Sequence, residues 1–127
     1  MKENYSFYGK TNGHPIKILV EGLNNCLTGD IELNITKNGI KSVCFDNNDT
    51  LGIFFELKMN QFDEYLCEED RIIKINLKQF LKLLKNIKKK DSLAFFVEKN
   101  TPKFGVKIIQ STSTEKNDIS YINITNV

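Results

Sequence analysis

Residues 71–90 read RIIKINLKQFLKLLKNIKKK, and the hydrophobic period changes inside them. Ile72 to Leu77 is a short β-branched run that predicts a strand. From Leu77 to about Lys88 the apolar positions are Phe80, Leu83, Leu84 and Ile87, one stripe at helical spacing. Asn76 stands where an N-cap is wanted, since its side-chain oxygen can accept from an early helical N–H. A strand that runs directly into an isolated helix is a mark of α+β architecture.

The segments on either side agree. Ile31 to Thr36 alternates Ile31, Leu33 and Ile35 against Glu32, Asn34 and Thr36, which predicts a half-buried strand. Lys37-Asn38-Gly39 is a hairpin turn, because Asn and Gly tolerate positive φ. Ile40 to Phe45 is the return strand, Asp46 to Asp49 a polar turn, and Leu51 to Lys58 a third strand with Leu51, Ile53, Phe55 and Leu57 on one face. Upstream, Ile16, Leu19, Val20, Leu23 and Leu27 form one helical stripe, with Pro15 suited to the first turn and Gly29 to the stop. Downstream, strands are expected at Leu93–Glu98, Phe104–Gln110 and Ile119–Thr125. With a leading strand, the order is β-α-β-β-β-β-α-β-β-β. Runs of strands around two separate helices predict antiparallel sheets with both helices packed on one face, and argue against a parallel βαβ sheet.

At 127 residues the chain is expected to form a single domain, 1–127, with a substantial core. No apolar run approaches the roughly 18 residues of a membrane span, and the start MKENYSFYGK lacks the apolar segment of a secretory signal. Cys26, Cys44 and Cys67 are widely spaced, and His14 is the one histidine. That set offers no zinc-ligand spacing, so the cysteines read as reduced, buried hydrophobes. His14 is expected in a loop before the first helix. No Walker loop, GxGxxG or HExxH occurs. The acids Asp63, Glu64, Glu68, Glu69 and Asp70 read as a solvated loop rather than a cation site. The chain is therefore read as non-catalytic, with no metal and no cofactor. Its bias to Lys, Asn and Ile suggests an AT-rich genome, such as that of a large DNA virus or a protist.

The net charge of +2 conceals two opposed blocks. Val43 to Asp70 holds eight acids against Lys58 alone, and Arg71 to Lys90 holds eight bases and no acid. At about 100° per residue, Lys82, Lys85 and Lys89 lie within about 40° of Lys78, so four lysines share a face opposite the apolar stripe. Like charges at this spacing cost a helix stability. A row of Lys without acids suits contact with phosphates, which attract point charges without base readout. With one Arg in the chain, sequence-specific recognition of guanine is not expected.

These residues carry a resemblance. Glu32-Leu33-Asn34-Ile35-Thr36, Asn38-Gly39-Ile40 and Phe45 to Leu51 follow, in order and spacing, the hairpin of the N-terminal domain of proliferating cell nuclear antigen, the DNA sliding clamp. Gln61 to Cys67 resembles a family segment of the form GFDTYRC, with Phe62, Asp63, Tyr65 and Cys67 identical. Ile75 to Lys85 resembles VNLTSMSKILK. The register runs without a gap from Ile35 to about Glu98. The resemblance implies the DNA-clamp, or processivity, fold. It also implies a polymerase processivity factor that encircles double-stranded DNA in a ring. DNA polymerase, other clamp-binding peptides and a clamp loader would be its partners, and no membrane is implied.

Carried over by position, Lys82 and Lys85 match family lysines that touch the DNA backbone, and Lys17 falls near another. Lys78 and Lys89 are added by the angular count. Phe45, Asp49 and Thr50 fall at the turn that helps to form the partner-peptide pocket. Leu83, Ile87, Ile119 and Tyr121 are the candidates for the subunit interface. Family subunits carry a second such domain. The chain is read as the first domain of a longer clamp, with a single-domain clamp that closes its ring with more copies as the other possibility. Such a protein is expected in the nucleus, or in a cytoplasmic viral factory for a viral chain. Two further readings are a monomeric interaction module, checkpoint-clamp-like or a decoy, and a free-standing nucleic-acid binder.

Overall fold

The computed structural model describes residues 4–45, 52–110 and 117–124. The elements are β1 (Tyr5–Asn12), α1 (Gly13–Cys26), β2 (Asp30–Thr36), β3 (Gly39–Phe45), β4 (Gly52–Lys58), a 3-10 turn (Met59–Gln61), β5 (Glu64–Cys67), β6 (Arg71–Asn76), α2 (Leu77–Leu84), β7 (Ser92–Glu98), β8 (Lys103–Ile109) and β9 (Asn117–Asn123). The expected α+β class holds, with one strand more than the sequence reading allowed. That strand, β5, is short and lies amid acids, so it carries little strand signal.

The strands form two antiparallel sheets, ordered β5-β1-β7-β8-β9 and β4-β3-β2-β6. One core lies between their inner faces and the two helices. Ile31, Leu33, Ile35, Ile73 and Ile75 come from the smaller sheet, and Leu93, Phe95, Val97, Phe104, Val106 and Ile122 from the larger. Ile16, Val20 and Leu23 of α1 and Leu77, Phe80 and Leu84 of α2 complete it. Alternation in β2 and the helical stripes are thus read out directly as burial.

α1 begins three residues before Ile16. The Asn12 side chain accepts from the His14 backbone N–H at 3.2 Å, and the Gly13 N–H donates to the Asp91 carbonyl at 3.0 Å. Those two bonds satisfy early donors that a helix cannot satisfy itself. His14 therefore sits in the first turn of the helix, not in a loop before it. Its Nδ1 is buried without a hydrogen-bond partner.

α2 starts as expected: Asn76 caps it by accepting from the Gln79 N–H at 2.9 Å. It stops at Leu84, about one turn early. The Ile87 N–H reaches back only to the Leu84 carbonyl, at 3.1 Å, and Asp91 folds the following residues into a second turn. That turn lets Ile87 bury its side chain under Gly13, where an added Cβ would meet it at 3.1 Å.

At the β2–β3 hairpin, Thr36 pairs with Gly39, and Gly39 takes φ 142°. A Cβ there would overlap the Leu57 carbonyl oxygen and lie 2.9 Å from Lys58 Cα. Gly39→Ala is expected to cost about 1–3 kcal/mol, because backbone, not a flexible side chain, must yield. Urea unfolding would register this as a lower midpoint. An unshifted midpoint would mean that the hairpin relaxes freely.

Candidate nucleic-acid interface

α1 and α2 pack side by side. The Lys17 side chain crosses between them and donates from Nζ to the Ile87 carbonyl at 3.5 Å. Lys78, Lys82 and Lys85 are exposed on the side of α2 away from its buried Leu77, Phe80 and Leu84. Lys85 still has helical backbone at the C-cap, so the angular argument holds for these three. It fails for Lys89, which is exposed but lies in the turn beyond the helix. Nor do all eight bases of the block share a surface. Lys74 stands opposite Glu32 across the β2–β6 pair, on the outer face of the smaller sheet.

The acids are used elsewhere. Glu56 pairs with Lys41 at 3.8 Å and Glu64 with Lys10 at 3.8 Å on the sheets, and Glu68 with Lys99 at 3.0 Å just beyond the ends of β5 and β7. Such exposed pairs contribute little to stability. Their effect here is to leave the helical surface with an excess of positive charge.

The predicted pocket residues divide. Phe45 is 60% exposed at the end of β3, its ring lying over Gly52. It borders a groove with Leu27, Thr28, Asp30, Glu32, Val43 and Cys44. Asp49 and Thr50 lie outside the described residues. Sequence reading missed two neighbours. Val43 and Phe54 face each other across β3 and β4, 60% and 61% exposed. The signal was present: if Ile53, Phe55 and Leu57 face the core, Phe54 must face out.

The predicted interface residues also divide. Leu83 is half-buried and borders a groove between α2 and β9 together with Gln79, Lys82 and Tyr121. Ile119 and Tyr121 are each 50% exposed on β9, the last strand of its sheet. The Tyr121 hydroxyl donates to Glu98 Oε1 at 3.0 Å. Partial burial and then that carboxylate raise its pKa. Ile87 does not join this group. It is 4% exposed and belongs to the core, because the turn after α2 carries it inward.

The three cysteines are free and half-buried, not fully buried as expected. Burial, and then the charge of Asp70, raises the Cys67 thiol. Tyr65 donates to the Thr36 carbonyl at 2.6 Å, and burial pushes its phenol well above the usual range, with Cys67 and Asp70 adding to the effect. Both groups keep their protons at neutral pH, so neither is an activated nucleophile or base. Among the described residues no three His, Cys, Asp or Glu side chains are grouped to hold a metal ion.

The arrangement thus offers exposed cations on α2 beside α1, an edge strand in β9 and an apolar outer patch. The sequence model of the family "Proliferating cell nuclear antigen, N-terminal domain" matches residues 10–126. A protein of Paramecium bursaria Chlorella virus 1 named "Probable DNA polymerase sliding clamp 1" is 29% identical over 123 residues, 96% of this chain and 46% of that protein. The DNA polymerase sliding clamp of Methanothermobacter thermautotrophicus is 26% identical over 65 residues, 51% of this chain and 27% of that protein. The crystal structure of PCNA from Thermococcus kodakaraensis superposes with a TM-score of 0.84 at 18% identity, over 94% of this chain and 47% of that one. The chain spans less than half the length of each of these proteins. With the family matched over nearly all of its residues and the fold shared, the chain belongs to the proliferating cell nuclear antigen family of DNA sliding clamps, as an N-terminal-type domain.

Proposed function

We propose that this chain is one domain of a ring that encircles double-stranded DNA and serves as a polymerase processivity factor. The observation that carries the reading is the pair of adjacent helices, with Lys78, Lys82 and Lys85 exposed on one side of α2 and the half-buried Lys17 of α1 reaching the Ile87 carbonyl. Lysines are compact charges on flexible stems, and they follow phosphates without fixing a sequence register. A clamp needs that quality: attraction weak enough to slide, with topology supplying retention. No bond is made or broken by the protein.

The remaining features fit the same reading. β9 ends its sheet with free backbone donors and acceptors, a surface that calls for a partner strand. Ile119, Tyr121 and Leu83 flank it, and self-association into a ring would cover them. Phe45, with Asp49 and Thr50 a few positions on in the sequence, would receive peptides of DNA polymerase and other clamp-binding proteins, and a clamp loader would open the ring. The protein would work where the genome is copied, in a nucleus or, for a viral chain, in a cytoplasmic factory. The exposed Val43, Phe45 and Phe54 also suit a monomeric interaction module, and one experiment separates the two. Full-length protein loaded onto a nicked circular plasmid is expected to stay bound through a high-salt wash and to be lost when the circle is cut. Equal retention on circular and linear DNA would count against encirclement, and failure to load at all would favour the monomeric module.

A further inference from the structure

Lys88, Lys89 and Lys90 have no part in α2 and were left unexplained by its charge stripe. Cations stabilise a helix C-terminus within its last turn, which accounts for Lys82 and Lys85 but not for three consecutive lysines beyond it. These three are also not on a loose tail. The Asp91 N–H donates to the Lys88 carbonyl at 3.0 Å, and Asp91 Oδ2 accepts from the Lys88 N–H at 3.0 Å, so the two residues close the turn reciprocally. The Asp91 carbonyl accepts from the Gly13 N–H at 3.0 Å, which fastens the turn to the start of α1. Asp91 is 5% exposed and Ile87 4%. Between these two buried anchors the lysines at 88, 89 and 90 are all exposed.

We infer that the turn 85–91 is a second phosphate-binding element, built to hold Lys88, Lys89 and Lys90 against a nucleic-acid backbone, with Asp91 as its positioning residue. The inference rests on the proposed DNA contact and extends it from the face of α2 to the junction where α2 ends and α1 begins. Lys17, whose Nζ lies 3.5 Å from the Ile87 carbonyl, joins the two parts. Three adjacent like charges repel one another, and a polyanion relieves that repulsion as it releases its counterions. An acidic protein partner is the poorer fit. Stable protein contacts centre on apolar or aromatic anchors, and the turn exposes Lys85, Asn86 and Lys88 to Lys90 while burying its only apolar residue, Ile87.

The test is a fluorescence-anisotropy titration of a labelled random-sequence duplex over a salt series, using the 127-residue chain. Replacing Lys88, Lys89 and Lys90 together by Gln is expected to flatten the slope of log K against log salt by about 2–3. Lys82→Gln with Lys85→Gln is expected to flatten it by about 2. Asp91→Ala leaves every lysine in place yet should also flatten the slope, and Asp91→Asn should restore it, because the amide oxygen still accepts from Lys88. A slope unchanged in the triple variant but reduced in the double variant would overturn the second element and leave the proposed function standing. Slopes unchanged in both, or no duplex binding at low salt, would overturn the phosphate contacts of the turn and of α2 alike. A parallel titration with labelled polyglutamate separates the other source: binding that the triple variant loses while its duplex slope is unchanged would overturn the inference in favour of an acidic protein partner.

Discussion

Lys82→Glu combined with Lys85→Glu is expected to reduce processive synthesis by the full-length clamp at least about tenfold. The two residues are one turn apart and both exposed. Reversal converts two attractions to phosphate into two repulsions on the surface proposed to face DNA. Part of any effect would be local, since glutamates near a helix C-terminus oppose its dipole by about 0.3–1 kcal/mol each. The Gln pair removes that contribution and serves as the control. The measurement is product length on a primed single-stranded circle at fixed salt, beside a thermal melt of each variant. Unchanged product lengths with an unchanged melt would remove the helices from the DNA interface.

The largest effect on stability is expected at Phe104. It is 1% exposed on β8, stacked on Phe95 of β7 at 5.6 Å and edge-on to Phe80 of α2 at 5.9 Å. Phe80 in turn meets Phe95 edge-on at 5.6 Å. Phe104→Ala is expected to cost about 3–5 kcal/mol. The space it leaves is walled by two hydrogen-bonded strands and a helix, so little collapse can fill it. A loss of that size takes a large share of the roughly 5–15 kcal/mol that holds an ordinary domain together. Phe54→Ala is the contrast: its ring is 61% exposed, and its removal should change stability by no more than about 0.5 kcal/mol. Urea unfolding of both variants checks the pair. A Phe104→Ala loss no larger than that of Phe54→Ala would show that the aromatic cluster does not organise the core.

Much of this was legible in the residues themselves. The β2 alternation, the Asn38-Gly39 hairpin, the α1 stripe and the Asn76 cap depend on neighbours a few positions away, and each reappears in the structure close to where the pattern put it. What was not legible depends on distant partners. α2 ends early because Asp91 bonds to Lys88 and Gly13 while Ile87 finds a place under α1, and none of these contacts has a local signature. The same contacts take Lys89 off the helical stripe and Ile87 out of the predicted interface. β5 pairs with β1 despite its weak strand signal, since Phe7 opposite Cys67 is a tertiary contact. At the site, the lysines of α2 could be placed by angle alone. The outward pair Val43 and Phe54 could have been placed too, had the alternation on β4 been followed to its other face.

β1 lies between β5 and β7, with Phe7 opposite both Cys67 and Val97. The strand that leaves the ribosome before the others of its sheet is therefore an interior one, and both of its neighbours arrive late. At translation rates of about 5–20 residues per second, one edge waits for β5 and the other waits roughly 5–20 s for β7 to emerge. Phe7 and Tyr8 have no sheet to join in that interval, and pairings between residues so far apart in sequence form slowly once the chain is free. The period of greatest aggregation hazard thus belongs to synthesis rather than to the finished protein. It ends when Ser92 to Glu98 closes the sheet against β1.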